Sequence, residues 1–237
     1  YLASHEPCLI SELNAMGEIA KLNVEKDKAP VFLNEKEMTL VLCLPDTKTK
    51  LGIRDQTYLS MLYDSGARDN ELRSLRLSDV MIAPNDGKLH LVGKGNKTRM
   101  TPISKQVTRL IRKYLTIFHN ADSKSDNYLF YTVHAGVKSK MSADNSARIM
   151  NKYEIIAKSI SPHIPHLHPH LFRHSRAMHL YQAGMPLELV SEWLDHSQME
   201  TTLIYAHADT SMKRKAIENA MKGKELLFPK ELPKYMD

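Results

Sequence analysis

Residues 80–103 read VMIAPNDGKLHLVGKGNKTRMTPI, and this stretch decides the fold class. VMIA, KLHLVGK and RMTPI are short runs of strand type. Asn85-Asp86-Gly87 and Gly95-Asn96 part them. Both are turn sequences, because glycine, asparagine and aspartate accept backbone conformations that other residues resist. The pattern predicts a small antiparallel sheet of three strands. On either side, apolar residues recur at helical rather than alternating spacing. The expected fold class is therefore α+β, mostly helical with a small three-stranded antiparallel sheet.

Upstream, Asn34 followed by Glu37 fits a helix start that runs on through MTLVLCL. A second helix is expected from Ile53 to Ser65, with Ile53, Tyr58, Leu59, Met61 and Leu62 as its apolar set and Gly66 as its stop. RDNELRSL forms a short third. Downstream, Val107, Leu110, Ile111, Tyr114, Leu115 and Phe118 mark one face of another helix. The polar loop HNADSKSDN then leads to YLFYTV, and a helix follows from about 144 to 160. A further helix begins near Pro169 and ends at Gly184. Pro186 suits the first turn of a short one ending near Trp193. At the amino-terminal end, LISELNAMGEIAKL reads as one helix before the charged linker NVEKDKAP. After Met212 comes a charged helix and a proline-punctuated end.

The 237 residues, 42% of them hydrophobic, suffice for one large domain or a domain with appendages. Cys8 and Cys43 lie far apart without metal-ligand spacing, which argues against a disulfide framework and for a reducing, cytoplasmic setting. No apolar run approaches the length of a membrane span, so no membrane partner is expected. The chain opens on Tyr1 rather than methionine, and a preceding domain is expected upstream. Lysine plus arginine exceed aspartate plus glutamate by 33 to 27, compatible with a nucleic-acid partner.

Several residues carry chemistry. Arg68 directly follows the helix stop Gly66-Ala67, with Glu71 three residues on. In isolation this is a surface ion pair; functionally it is a guanidinium aimed at phosphate, its side chain fixed by Glu71. Lys94 and Lys97 sit on a glycine-rich hairpin and either can reach a phosphate or a leaving oxygen. Position favours Lys94, but the sequence barely separates the two. The run HIPHLHPHLFRHSRAMH holds His163, His166, His168, His170, His174 and His179. It raises a metal site, yet no cysteine or carboxylate within it completes a set. His170 and Arg173, three apart at a helix start, suit an anion better. His196 and Tyr205 follow in WLDHSQMETTLIYAH. A lone tyrosine there reads as a half-buried aromatic.

Taken in order, these pieces resemble the tyrosine recombinases, or phage integrases. GARDNELRSLRLSDV is similar to their first arginine box and VGKGNKTRMTPI to the lysine hairpin. HLFRHSRAMHLYQAG matches the histidine–arginine box, and LVSEWLDHSQMETTLIYAH the closing box with its histidine and nucleophile. The resemblance spans roughly residues 32–212. Two positions depart from it: Asp195 where a glycine is usual, and Phe172 where a leucine is usual.

The resemblance implies the tyrosine recombinase catalytic fold over 32–212, the end of a preceding DNA-binding domain and linker in 1–31, and in 213–237 a tail that docks on a neighbouring protomer. It implies strand cleavage and rejoining through a 3′-phosphotyrosyl intermediate, in the service of a bacterial mobile element or phage. Tyr205 would be the nucleophile, Arg68 and Arg173 would grip the non-bridging oxygens, and His170 would assist proton transfer. Lys94 would protonate the leaving 5′ oxygen and His196 would hydrogen-bond the phosphate. Neither metal nor cofactor is implied. The partners would be double-stranded DNA and further copies of the chain in a tetrameric synapse, with no small-molecule substrate. The protein would be nucleoid-associated when bound. The rivals are a catalytically silent DNA-binding protein of the same fold, a type IB topoisomerase-like enzyme and a zinc-dependent hydrolase. Retention of all six candidate residues favours the recombinase over the first, and the short hairpin and compact closing box favour it over the second.

Overall fold

The computed structural model describes residues 31–84, 86–120 and 122–195. The helix expected within residues 1–30, His196, Tyr205 and the tail beyond Met212 lie outside the described residues.

Helix α1 (Glu35–Cys43) starts as its cap residues require. Asn34 Oδ1 accepts from the Glu37 N–H at 3.0 Å, and Glu37 Oε2 accepts from the Asn34 N–H at 2.8 Å. Two otherwise orphaned helix-start donors are thus satisfied reciprocally. Helix α2 (Lys50–Ser65) begins a turn earlier than Ile53, because Thr49 Oγ1 caps the Gly52 N–H at 3.0 Å. Its Tyr58, Leu59, Met61 and Leu62 are fully buried, which makes α2 the spine of the molecule. It ends at Gly66, whose φ of 61° lies in the left-handed region that glycine reaches without a Cβ clash. Helix α3 (Asp69–Ser74) follows at once.

Strands β1 (Val80–Ile82), β2 (Gly87–Val92) and β3 (Thr98–Ile103) form the expected antiparallel sheet, in the order β1-β2-β3. Val80 pairs with Leu89, and Leu91 with Arg99. Leu89, Leu91, Thr101 and Ile103 face inward, whereas Lys88 and Met100 face out. This period-two alternation is that of a sheet with one face on the core. Helix α4 (Lys105–Phe118) lies against α2 and carries the expected apolar stripe, Val107, Ile111 and Tyr114 being buried.

A second hairpin, β4 (Tyr131–His134) with β5 (Val137–Lys140), adds to the sheet foreseen from sequence. Ala135 (φ 49°) and Gly136 (φ 79°) turn it. Alanine is a poor signal for a left-handed turn position, which explains why the hairpin is not legible in YLFYTVHAGVKSK. Helix α5 (Ala143–Ile160) is capped by Ser142. Helix α6 (Pro169–Gln182) carries proline at its first position, and α7 (Leu187–Leu194) follows Pro186.

One apolar cluster joins α1, α2, α4, α5, the three-stranded sheet and the start of α6, with Phe130 and Met141 entering it from either side of the second hairpin. A smaller one, Ala177, Met178, Val190 and Leu194 with Phe32 and Trp193 against it, holds α7 on the second half of α6. That packing brings the end of α7 to the end of α2. No helix among the described residues is long and apolar enough to cross a membrane.

Candidate active site

The site forms where two helices end. The last carbonyls of a helix have no partner within it and carry the negative end of its dipole. Here side chains from elsewhere satisfy them. Arg173 Nη1 donates to the Gly66 carbonyl at the end of α2 at 2.7 Å, and its Nη2 donates to the Leu194 carbonyl at the end of α7. Trp193 Nε1 donates to the Ser65 carbonyl at 3.0 Å. Arg173 is only 4% exposed; a cation tolerates that depth because two helix carboxyl ends converge on it. Gly66 permits the approach, since a Cβ there would stand 3.0 Å from a Leu194 methyl.

Arg68 stands just before α3. Glu71 accepts from its backbone N–H (Oε2, 2.9 Å) and from Nη1 (Oε1, 2.8 Å), as the three-residue spacing predicts. Two further bonds come from across the fold: Nη1 donates to Asp195 Oδ2 at 3.2 Å, and Nη2 to the Asp195 carbonyl at 3.0 Å. Burial pulls the guanidinium pKa down, but the Glu71 and Asp195 carboxylates outweigh it and leave it raised. Asp195 has φ 52° and ψ 52° at the end of α7. That left-handed geometry explains why a glycine suits the position, and aspartate is among the few side chains that tolerate it.

A third arginine joins them. Arg99 Nη2 donates to Glu71 Oε2 at 2.7 Å and Nη1 to Glu71 Oε1 at 3.3 Å, with Asp195 Oδ2 3.8 Å from Nη1. Its Nε is buried without a partner among the described residues. Burial raises the Glu71 pKa, yet the hydrogen bonds from Arg99 and Arg68 win and hold the carboxyl below its usual range. Arg99 was not among the residues singled out from the sequence. Its signal was there: on β3 the inward positions are 99, 101 and 103, so a charged residue shares the core-facing side with Thr101 and Ile103.

The β2–β3 hairpin also reaches this place. A Cβ on Gly93 would lie 3.0 Å from Asp195 Oδ2 and 3.3 Å from Glu71 Oε1. The Lys94 backbone follows directly, in a one-turn helix (Lys94–Asn96) rather than at the strand end, and Gly93 N–H to Lys97 carbonyl (2.7 Å) closes the turn. The Lys94 side chain lies outside what is described.

His170 is exposed on the first turn of α6, whereas Arg173 on the next turn points inward. His174, half-buried with its ring 6.4 Å from that of His170, has its pKa pushed down to about 4, first by burial and then by His170, Arg173 and His168. A proton therefore binds His174 more weakly in the folded chain than at its ordinary 6.5. Its contribution to stability is complete above pH 6.5 and is lost as the pH falls toward 4. At about 1.4 kcal/mol per unit, discounted for solvent screening, His174→Asn should remove about 2 kcal/mol of acid destabilisation across that window. Urea unfolding of both proteins at pH 7 and pH 4.5 tests this; parallel losses of stability would contradict it. Elsewhere in the histidine run, His166 Nδ1 meets Glu154 Oε2 at 2.6 Å. Among the described residues, no group of three or more His, Cys, Asp or Glu has an arrangement that could hold a metal ion.

The structure thus brings Arg68, Glu71, Arg173 and the hairpin of Lys94 to one corner, adds Arg99 and Asp195, and leaves His170 on an exposed turn beside it. His196 and Tyr205 lie outside the described residues.

The profile of the phage integrase family matches residues 31–212. The tyrosine recombinase XerD of Rickettsia prowazekii is 33% identical over 229 residues, covering 91% of this chain and 72% of that protein. XerD of Listeria monocytogenes is 32% identical over 181 residues, 75% of this chain and 58% of its own length. In fold, the XerH site-specific recombinase bound to its difH substrate superposes with a TM-score of 0.67 at 24% identity. The match covers 86% of this chain and 57% of that one, so the chain spans little more than half of XerH. The catalytic domain of bacteriophage HP1 integrase, matched over 99% of its length, has a TM-score of 0.52.

Proposed function

The chain belongs to the phage integrase family of tyrosine recombinases, and from that membership we propose that it is a site-specific recombinase that cuts and rejoins DNA through Tyr205. The observation that carries this reading is the convergence of Arg68 and Arg173, from separate parts of the chain, on the turn that ends α7 at Asp195. His196 is the next residue in sequence. A phosphodiester repels anionic attackers, and closely set guanidinium groups mask its charge and favour the more highly charged transition state.

In this mechanism the Tyr205 oxygen attacks phosphorus and the bond to the 5′ oxygen breaks. The departing oxygen takes a proton from Lys94, and the DNA is held as a 3′-phosphotyrosyl ester. His170 assists proton transfer by taking the proton that the Tyr205 hydroxyl gives up, and His196 hydrogen-bonds a non-bridging oxygen. Attack by the 5′ hydroxyl of another strand reverses the chemistry and frees the tyrosine. One ester replaces another at each step, so the exchange balances without an external energy source. Double-stranded DNA is the substrate, and exchange between two duplexes calls for a tetrameric synapse. Residues 1–31 would end a DNA-clamping domain, 32–212 would be the catalytic domain, and 213–237 would reach a neighbouring protomer. A mobile element is the natural genetic setting.

The test is covalent capture. The protein is mixed with supercoiled plasmid, the reaction is quenched in detergent, and DNA-linked protein is sought beside Tyr205→Phe. An adduct with the parent chain and none with the variant is expected. An equal yield from Tyr205→Phe would remove Tyr205 as nucleophile, and binding without any adduct would favour a silent DNA-binding protein.

A further inference from the structure

Asp195 repeats what other groups already do. Arg68 is held by Glu71 at Nη1 and by the residue 195 carbonyl at Nη2, and neither bond needs the Asp195 side chain. The carboxylate adds a third contact, at Nη1, and approaches Arg99 as well. It does so from a backbone conformation that favours glycine. Its effect is therefore chiefly one of charge. Of the three arginines at this corner, Arg68 and Arg99 face Glu71 and Asp195, whose two negative charges offset theirs, while Arg173 donates to the Gly66 and Leu194 carbonyls.

The free edge of Arg68 shows where that charge matters. Among the described residues, its Nε–H has no acceptor, and Nη2, with two N–H groups, has one acceptor, the Asp195 carbonyl. Nε and Nη2 form one side of the planar guanidinium, a fork that can grip two oxygens of a phosphate. A phosphate seated there would share one guanidinium with the Asp195 carboxylate. Like charges at such separations repel appreciably in a half-buried site. The repulsion grows as the phosphate gathers a second negative charge in the transition state, so it slows cleavage more than it weakens binding.

We propose that the Asp195 carboxylate is an electrostatic brake on the phosphate clamp, setting the rate of strand cleavage through Arg68 and Arg99. It acts through those arginines and is a positioning residue rather than a catalytic one. The proposal rests on the recombinase reading above, and its test keeps the two apart. Asp195→Asn removes the charge with little change of shape, and asparagine tolerates the left-handed backbone; Asp195→Gly removes the side chain and suits that backbone better still.

Two quantities are measured for each: the rate at which covalent adduct accumulates on supercoiled plasmid, and the affinity for a short duplex of arbitrary sequence across a potassium chloride series. Both variants are expected to form adduct about tenfold faster. With one more uncompensated cation, affinity should fall more steeply with salt, by about 0.9 in the log–log slope. Slower or unchanged adduct formation by Asp195→Asn, or an unchanged salt slope, overturns the brake and makes the carboxylate a brace for Arg68. Should no protein form an adduct, the recombinase reading fails. The brake on cleavage then falls with it, whereas adduct from all three proteins at equal rates rejects the brake alone.

Discussion

Replacing Arg173 with alanine is expected to lower strand cleavage by about 10²–10³-fold, with a much smaller change in DNA affinity. Affinity is spread over many phosphate contacts, whereas stabilisation of the reacting phosphate is concentrated in the few donors around it. The same change should cost about 2–4 kcal/mol of stability, because the buried Gly66 and Leu194 carbonyls each lose a charged donor. Arg173→Lys separates the two effects. An ammonium keeps the charge but lacks a planar fork to span two helix ends, so stability should partly return while cleavage stays low. Cleavage timed in a single turnover, beside binding and urea unfolding, reads all three quantities. Cleavage by Arg173→Ala within a few-fold of the parent would remove this residue from the phosphate clamp.

The second large effect is expected at Glu71. Its carboxylate is buried and accepts from Arg68 twice and from Arg99 twice. Glu71→Ala leaves two neighbouring guanidinium groups with only Asp195 as counterion and uncaps the start of α3. Breaking a buried ion pair from one side typically costs about 3–5 kcal/mol, and the loss here should fall in that range. Cleavage should drop sharply as well, since Arg68 loses the contact that fixes it from its own helix. Glu71→Gln keeps an acceptor for the Arg68 backbone N–H but not the charge, and should lie between. A loss under about 1 kcal/mol on urea unfolding, the level of a solvated surface pair, would show that Glu71 is dispensable to the corner.

Much of the fold was legible because its signals are local. The Asn34–Glu37 capping pair, the stop at Gly66, the turn sequences between the three strands, the stripe from Val107 to Phe118 and the proline that opens α6 are each written within a few residues. Where a signal was weak the structure exceeded expectation: Ala135-Gly136 makes a left-handed turn without the asparagine that advertises one. The ion pair of Arg68 with Glu71 was readable for the same reason, being three residues apart on a helix start.

The rest of the site was not. Arg99 looked like one more basic residue of a hairpin, and its place on the inner face of β3 gained meaning only when Glu71 was found opposite. Asp195 could be seen as a departure from the family pattern, but not as a carboxylate resting on Arg68.

The sequence by itself determined the class of fold, the order of helices α1 to α7 around the three-stranded sheet and the set of residue types that suit phosphate chemistry, because periodicity, caps and turns act over a few positions. Only the tertiary structure decided which charges face one another. The packing of α7 on α6 delivers the Leu194–Asp195 turn to the end of α2, and the energy of that meeting depends on separations in space that sequence spacing does not encode.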